Sequence, residues 1–198
     1  FGMLVLARRQ LREIMDALAP GILAGVPVVG LEPSCVAVFR DELLNLFPDD
    51  ALARRLSAQV VLFSDFVLRD ARWDPPQLGG RALVHGHCHQ KAVLGMAGDL
   101  RLLERLGVAA ELVDAGCCGM AGSFGFHPRH FPLSIQAAEA GLLPAVRRAA
   151  ADTMIVASGF SCREQIAQNT DRQALHIAEV AALACKVPRA AREVGQSP

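Results

Sequence analysis

RALVHGHCHQKA, residues 81–92, decides the fold. Arg81 to Val84 is short and mainly apolar without strict alternation, as a strand buried on both faces of a parallel sheet should be. The run then enters His85-Gly86-His87-Cys88-His89, a loop whose polar groups point to chemistry at the strand's end. The order recurs outward along the chain. Glu111 to Val113 enters Asp114-Ala115-Gly116-Cys117-Cys118, Thr153 to Ala157 enters Ser158-Gly159-Phe160-Ser161-Cys162, and Val26 to Leu31 breaks at Glu32-Pro33-Ser34-Cys35. Helical periodicity lies between these runs, at residues 3–19, Val36 to Phe47, Ala51 to Leu68, Asp99 to Leu106 and Phe131 to Ala151. Alternating strands and helices predict an α/β fold, a parallel sheet with helices on both faces. Five of the six cysteines then sit at the carboxyl ends of strands, the edge where open parallel sheets place their ligand crevice. Cys185, inside the apolar stretch His176 to Cys185, is the exception and reads as a thiol without function.

Pro33-Ser34-Cys35, ahead of Arg40-Asp41-Glu42, is echoed by Phe160-Ser161-Cys162 ahead of Arg163-Glu164. The echo predicts two related halves, residues 1–70 and 81–198, joined by a linker at 71–80 that holds Trp73, Pro75, Pro76 and the pair Gly79-Gly80. A formal net charge of zero gives no long-range attraction for nucleic acid. Apolar stretches are cut by Arg, Asp, Gly or Pro well before the roughly 18 residues of a membrane span, so no transmembrane segment is expected. No secretory pattern opens the chain, which predicts a cytoplasmic protein, or one peripheral at the inner membrane, with reduced thiols. Phe1 stands where an initiator Met would be, an expectation that the chain is part of a longer polypeptide.

Reduced cysteines on one sheet edge point to metal or redox chemistry. Cys88, Cys117, Cys118 and Cys162 are the expected ligands, with Cys35, His87 and His89 as further candidates. Four thiolates suit a [4Fe-4S] cluster, and equally a tetrahedral zinc or a mononuclear iron; spacing does not separate them, although the paired CxxC of many structural zinc sites is absent. Gly116 and Gly119 flank the vicinal pair and let the backbone approach a bulky inorganic group. A redox-active dithiol at Cys117 and Cys118 is a further reading. Lys91 and Arg163 stand close enough in sequence to offset a cluster's negative charge. The glycine-rich run 116–125 lacks the GxGxxG order and the GKS or GKT ending, which argues against a phosphate loop.

At LEPSC (31–35), HGHCHQKA (85–92), DAGCCGMAGSFGF (114–126) and SGFSC (158–162) the chain resembles the cysteine-rich CCG-domain family. That family is found in heterodisulfide reductase subunits, glycolate oxidase iron–sulfur subunits and lactate-utilisation proteins. The likeness is strongest to the C-terminal part of fused FAD-linked oxidases, a group that includes bacterial D-2-hydroxyglutarate and D-lactate dehydrogenases. The resemblance implies that Cys88, Cys117, Cys118 and Cys162 form the second of two cysteine motifs and that Cys35 ends the first. Gly159 stands where the family's final CxxC has its first cysteine. What is implied is an electron-transfer module served by upstream FAD and ferredoxin-like domains of the same polypeptide and passing electrons to an acceptor. No flavin motif is visible, so the chain alone is expected to be inactive. A metal-stapled docking module and a thiol–disulfide reductase at Cys117-Cys118 are the competing functions.

Overall fold

The computed structural model describes residues 2–187. Helix α1, Leu4–Leu23, buries Leu11, Met15 and Ile22, one apolar stripe at helical spacing. It runs four residues past the expected end because Ile22 is anchored in the core and its carbonyl accepts from Gln59 Nε2 at 2.8 Å. Strand β1, Val28–Gly30, comes next. Then comes α2, Pro33–Arg40, which starts earlier than periodicity suggested. Pro33 suits a first helical turn, and the Glu32 carboxylate caps it, accepting from Ser34 N at 3.4 Å and Ser34 Oγ at 2.8 Å. The helix breaks at Asp41, and α3 is Glu42–Leu46.

The single helix expected over Ala51 to Leu68 is three elements. Helix α4, Ala51–Gln59, is capped by Asp50, β2 is Val60–Leu62, and α5 is Phe63–Val67. Val60 and Val61 are β-branched and pair in parallel register with Val28 and Val29 of β1, so tertiary pairing overrides the helical pattern. Leu11, Met15, Val36, Leu43, Phe47, Leu56 and Val60 close a core around this two-stranded sheet.

Residues 71–80 form neither helix nor strand. They are nevertheless pinned to the Leu102–Leu106 stretch: Leu78 N donates to Leu106 O at 2.8 Å, and the Arg105 guanidinium donates to the carbonyls of Ala71 and Trp73.

The second sheet has four strands, β3 Arg81–Val84, β4 Ala109–Leu112, β5 Met154–Val156 and β6 Ala174–Leu175, in the order β4-β3-β5-β6 and all parallel. β4 begins two residues before Glu111, and the two-residue edge strand β6 carried no pattern of its own. Helix α6, Ala97–Arg105, crosses from β3 to β4, and α9, Phe160–Asn169, from β5 to β6. The helix expected over Phe131 to Ala151 is broken at Ala140-Gly141 into α7, Phe131–Glu139, and α8, Leu142–Arg148. The break follows from packing: a Cβ on Gly141 would lie 2.9 Å from that of Ala115 in the cysteine loop. Helix α10, Ile177–Lys186, ends the described residues.

Alternation along β3 sorts the two faces. Ala82 and Val84 pack with Leu102, Leu103, Leu106 and Val180 under α6 and α10, whereas Leu83 packs with Leu142, Val146 and Ile166 under α8 and α9. The fold is α/β with helices on both faces, as expected. Polar contacts tie the first sheet's segment to the second, among them Ser64 Oγ to Asp99 Oδ1 at 2.6 Å, His176 Nε2 to Leu31 O at 2.8 Å, and Phe160 N to Glu32 Oε2 at 2.8 Å. The far end of the segment expected to reach residue 198 lies outside the described residues.

Candidate metal centre

β3 lies between β4 and β5, so the loops leaving these strands meet at one place. The first carries Cys88, the second Cys117 and Cys118, and the third Cys162 in the opening turn of α9. Their thiols are near enough to influence one another in series: Cys88 with Cys117, Cys117 with Cys118, and Cys118 with Cys162. The arrangement is a string. Among the described residues no three His, Cys, Asp or Glu side chains converge as the ligands of a single ion.

Crowded sulfur holds its protons. The Cys88 thiol is pushed above its ordinary value by burial and by Cys117, and Cys117 is pushed far up by its contact with Cys118 and by burial. For Cys118 the contact with Cys117 lowers the value, but the contact with Cys162 and burial outweigh it and push the thiol up to about 12. A thiophilic metal group replaces such protons and supplies the positive charge that lets neighbouring sulfurs ionise together. Backbone donors already face the sulfurs: Gly119 N donates to Cys117 Sγ at 3.3 Å, His89 N to Cys88, and Met120 N to Cys118. Cys118 and Cys162 are buried, Cys88 and Cys117 half-buried.

Gly119 shapes the vicinal loop. Its φ is +86°, and a Cβ there would lie 2.1 Å from the carbonyl oxygen of Ser134 on α7. Lys91 Nζ donates to the carbonyl oxygens of Ala115 and Gly116, tying the loop after β4 to the loop after β3. Arg163 Nη1 donates to Ser158 O at 2.7 Å and Ala157 O at 3.2 Å. Both cations therefore clamp the loops that bear the cysteines.

The other predicted residues divide. His87 is buried; its Nδ1 accepts from His89 N at 3.2 Å, which leaves the proton of a neutral ring on Nε2. Burial lowers its basicity. Its ring lies against Gly159, where a Cβ would sit 2.5 Å from His87 Cδ2 and 3.3 Å from Cys162 Sγ. His89 is exposed, and its ring meets that of His87 edge to face. Cys35 is exposed in the first turn of α2 and Cys185 is exposed on α10; neither belongs to the string. His85 was not among the expected ligands. It is 1% exposed, and neither ring nitrogen has a hydrogen-bond partner. Burial and Lys91 depress it to about 4, so its ring is neutral. Only its shared parity with Leu83 and His87 in the sequence could have drawn attention to it.

No helix among the described residues is long and apolar enough to cross a membrane. No family model matches the chain, and no solved structure matches it. Curated relatives do. The chain is 27% identical over 158 residues to D-2-hydroxyglutarate dehydrogenase of Pseudomonas putida, covering 79% of this chain and 15% of that protein. It is 28% identical over 146 residues to the enzyme of the same name in Escherichia coli, covering 72% and 14%. It is also 26% identical over 176 residues to a subunit of the anaerobic glycerol-3-phosphate dehydrogenase of Escherichia coli, covering 86% of this chain and 43% of that subunit. The chain thus spans less than half the length of each of these relatives, and every one of them is a dehydrogenase or a subunit of one.

Proposed function

We propose that this chain is an electron-transfer domain of a flavin-dependent 2-hydroxy-acid dehydrogenase, with Cys88, Cys117, Cys118 and Cys162 holding an iron–sulfur cluster. The observation that carries the reading is the series of four mutually interacting thiols drawn from three strand ends. Four thiolates can hold a cluster or a tetrahedral ion alike; the dehydrogenase names of the similar proteins favour the redox-active group. The unpartnered buried nitrogens of His85 fit the same group, as an unfilled polar demand at this end of β3.

A bound cluster would supply one-electron redox chemistry. The chain's own residues do the rest: the four cysteines hold it, Gly119, His89 and Met120 point backbone N–H groups at sulfur, and the buried pair Cys118 and Cys162 keeps water from one side. The similar proteins carry different substrates in their names, 2-hydroxyglutarate and glycerol 3-phosphate. A segment common to both serves a step common to both, and electron passage is such a step. Substrate oxidation belongs to an FAD domain outside these residues, and the acceptor lies beyond the cluster. The two segments, 1–70 and 81–198, correspond to the first and second units of a CCG pair, working on the cytoplasmic side.

Anaerobic reconstitution followed by iron, sulfide and zinc analysis tests the reading. We expect iron and sulfide in comparable amounts, a visible charge-transfer spectrum, and a raised melting temperature. Serine at Cys88, Cys117, Cys118 or Cys162 should lower the metal content sharply, while Cys35→Ser and Cys185→Ser leave it nearly unchanged. A colourless protein with neither iron nor zinc sinks the proposal. A thiol–disulfide role finds less support, because the Cys117 thiol is driven away from the thiolate that such chemistry needs.

A further inference from the structure

We propose that His85 is a hydrogen-bond donor to a sulfur of this centre, a functional residue beyond the four cysteines; the inference rests on the cluster reading above. His85 N donates to Val156 O at 2.8 Å, extending the β3–β5 ladder by one residue, so the alternation of β3 continues through it. His85 therefore shares the face of Leu83. That face is the one whose packed cluster contains Cys118, Met120, Ala157 and Cys162. On the opposite face Val84 packs with Leu102 and Val180.

An imidazole on the sulfur-bearing face, 1% exposed and with both nitrogens unpartnered, is an anomaly in a folded protein, where buried polar groups find partners. Other side chains of the neighbourhood are committed. Lys91 is spent on the carbonyls of Ala115 and Gly116, and His87 Nδ1 on the amide of His89. A sulfur of a bound cluster is the acceptor that the site's own chemistry supplies. A donor to sulfur favours the more negative, reduced state of such a group and so raises its reduction potential. The string supplies four thiolates without His85, which assigns it to donation and leaves ligation to the cysteines.

The test uses anaerobically reconstituted protein in three forms: wild type, His85→Leu and His85→Gln. The proposal expects wild-type iron content in both variants. The reduction potential should shift to more negative values in His85→Leu and return toward wild type in His85→Gln, whose amide can still donate. Metal-free His85→Leu should melt at or above wild type, because it removes an unpaired polar ring, while the rise in melting temperature on loading should be smaller than in wild type. Equal potentials and equal loading increments in all three overturn the proposal, and loss of iron from His85→Leu as complete as from Cys88→Ser overturns it in favour of direct ligation. If wild type takes up no metal at all, the cluster reading falls and this inference falls with it, an outcome visible before any variant is made.

Discussion

The Glu32 carboxylate caps two helices at once: Oε1 accepts from Ser34 at the start of α2, and Oε2 accepts from Phe160 N at the start of α9, at 2.8 Å and across 128 residues of sequence. Both N-termini leave amide donors unpaired and both favour an anion. Each helix also carries a cysteine in its third position, Cys35 and Cys162. One side chain thus orients the loop that holds Cys162 from the opposite half of the molecule.

Glu32→Ala should therefore cost about 1–2 kcal/mol, a fall in melting temperature of roughly 2–8 °C. Hydrogen exchange should accelerate at the amides of both Ser34 and Phe160. Acceleration at Ser34 alone would mean that Glu32 serves only its own helix.

Gly159 stands where the resemblance places a further cysteine, and the structure gives the position a steric reason. A Cβ there would meet the His87 ring at 2.5 Å. His87 fills that space. Gly159→Cys should add no fifth sulfur to the centre; it should displace His87 and destabilise the fold by about 1–3 kcal/mol. Paired with His87→Ala, the same substitution should cost much less, a non-additivity read by a double-mutant cycle of melting measurements. Additive costs would show that the two side chains do not compete for the space.

How legible the site was depended on the kind of signal each residue gives. Cys88, Cys117, Cys118 and Cys162 could be placed because each follows an apolar strand, and parallel topology carries strand ends to a common edge. Strand β2 was lost inside Ala51 to Leu68 because Val60-Val61-Leu62 continues a helical spacing, and only pairing with β1 decides its conformation. The two-residue β6 is too short for any period. His85 was indistinguishable from His87 and His89 in a period-two run; burial separates it from His89 and the lack of a hydrogen-bond partner separates it from His87, and both belong to the packed fold. Lys91 and Arg163 were noted as charges, but their carbonyl partners on the loops are tertiary facts.

Asp65 on α5 illustrates a charge kept at a cost. Burial, and then the nearby Asp99, raise its carboxyl above the ordinary value, against Arg101 at 3.9 Å and other arginines. A carboxyl raised in the folded state binds its proton more tightly there than in the unfolded chain. Its favourable contribution is complete below the unfolded value of 3.8 and is lost as pH rises through the folded value. At pH 7 Asp65 is thus a net liability, and Asp65→Asn should raise the melting temperature. The gain should shrink toward zero as pH falls to 3. A gain that persists unchanged at pH 3 would trace the effect to packing instead of charge.

Gly116 and Gly119 flank the vicinal cysteines symmetrically in sequence, but the fold treats them differently. A Cβ on Gly116 would meet nothing within 4 Å, and its φ is not positive. Gly119 has a φ of +86°, and its Cβ would lie 2.1 Å from Ser134 O and 2.9 Å from Ser134 C, both backbone atoms of α7. Backbone of a helix cannot move aside as a side chain can. Ser134 is held further by Gln165 Nε2, which donates to its Oγ at 3.1 Å and its carbonyl at 3.3 Å from the buried face of α9. Gly119→Ala must therefore give up the left-handed turn or push the loop away from α7, at a cost of about 3 kcal/mol or more. The loop carries Cys117 and Cys118, and the amide that donates to Cys117 Sγ belongs to Gly119 itself. We predict that Gly119→Ala lowers both the melting temperature of the metal-free protein and the iron content after reconstitution, although it removes no sulfur. Gly116→Ala, the matched control, should leave both near wild type. Equal losses in the two variants would show that the loop needs small residues in general and that its approach to α7 does not set the geometry of the cysteine pair.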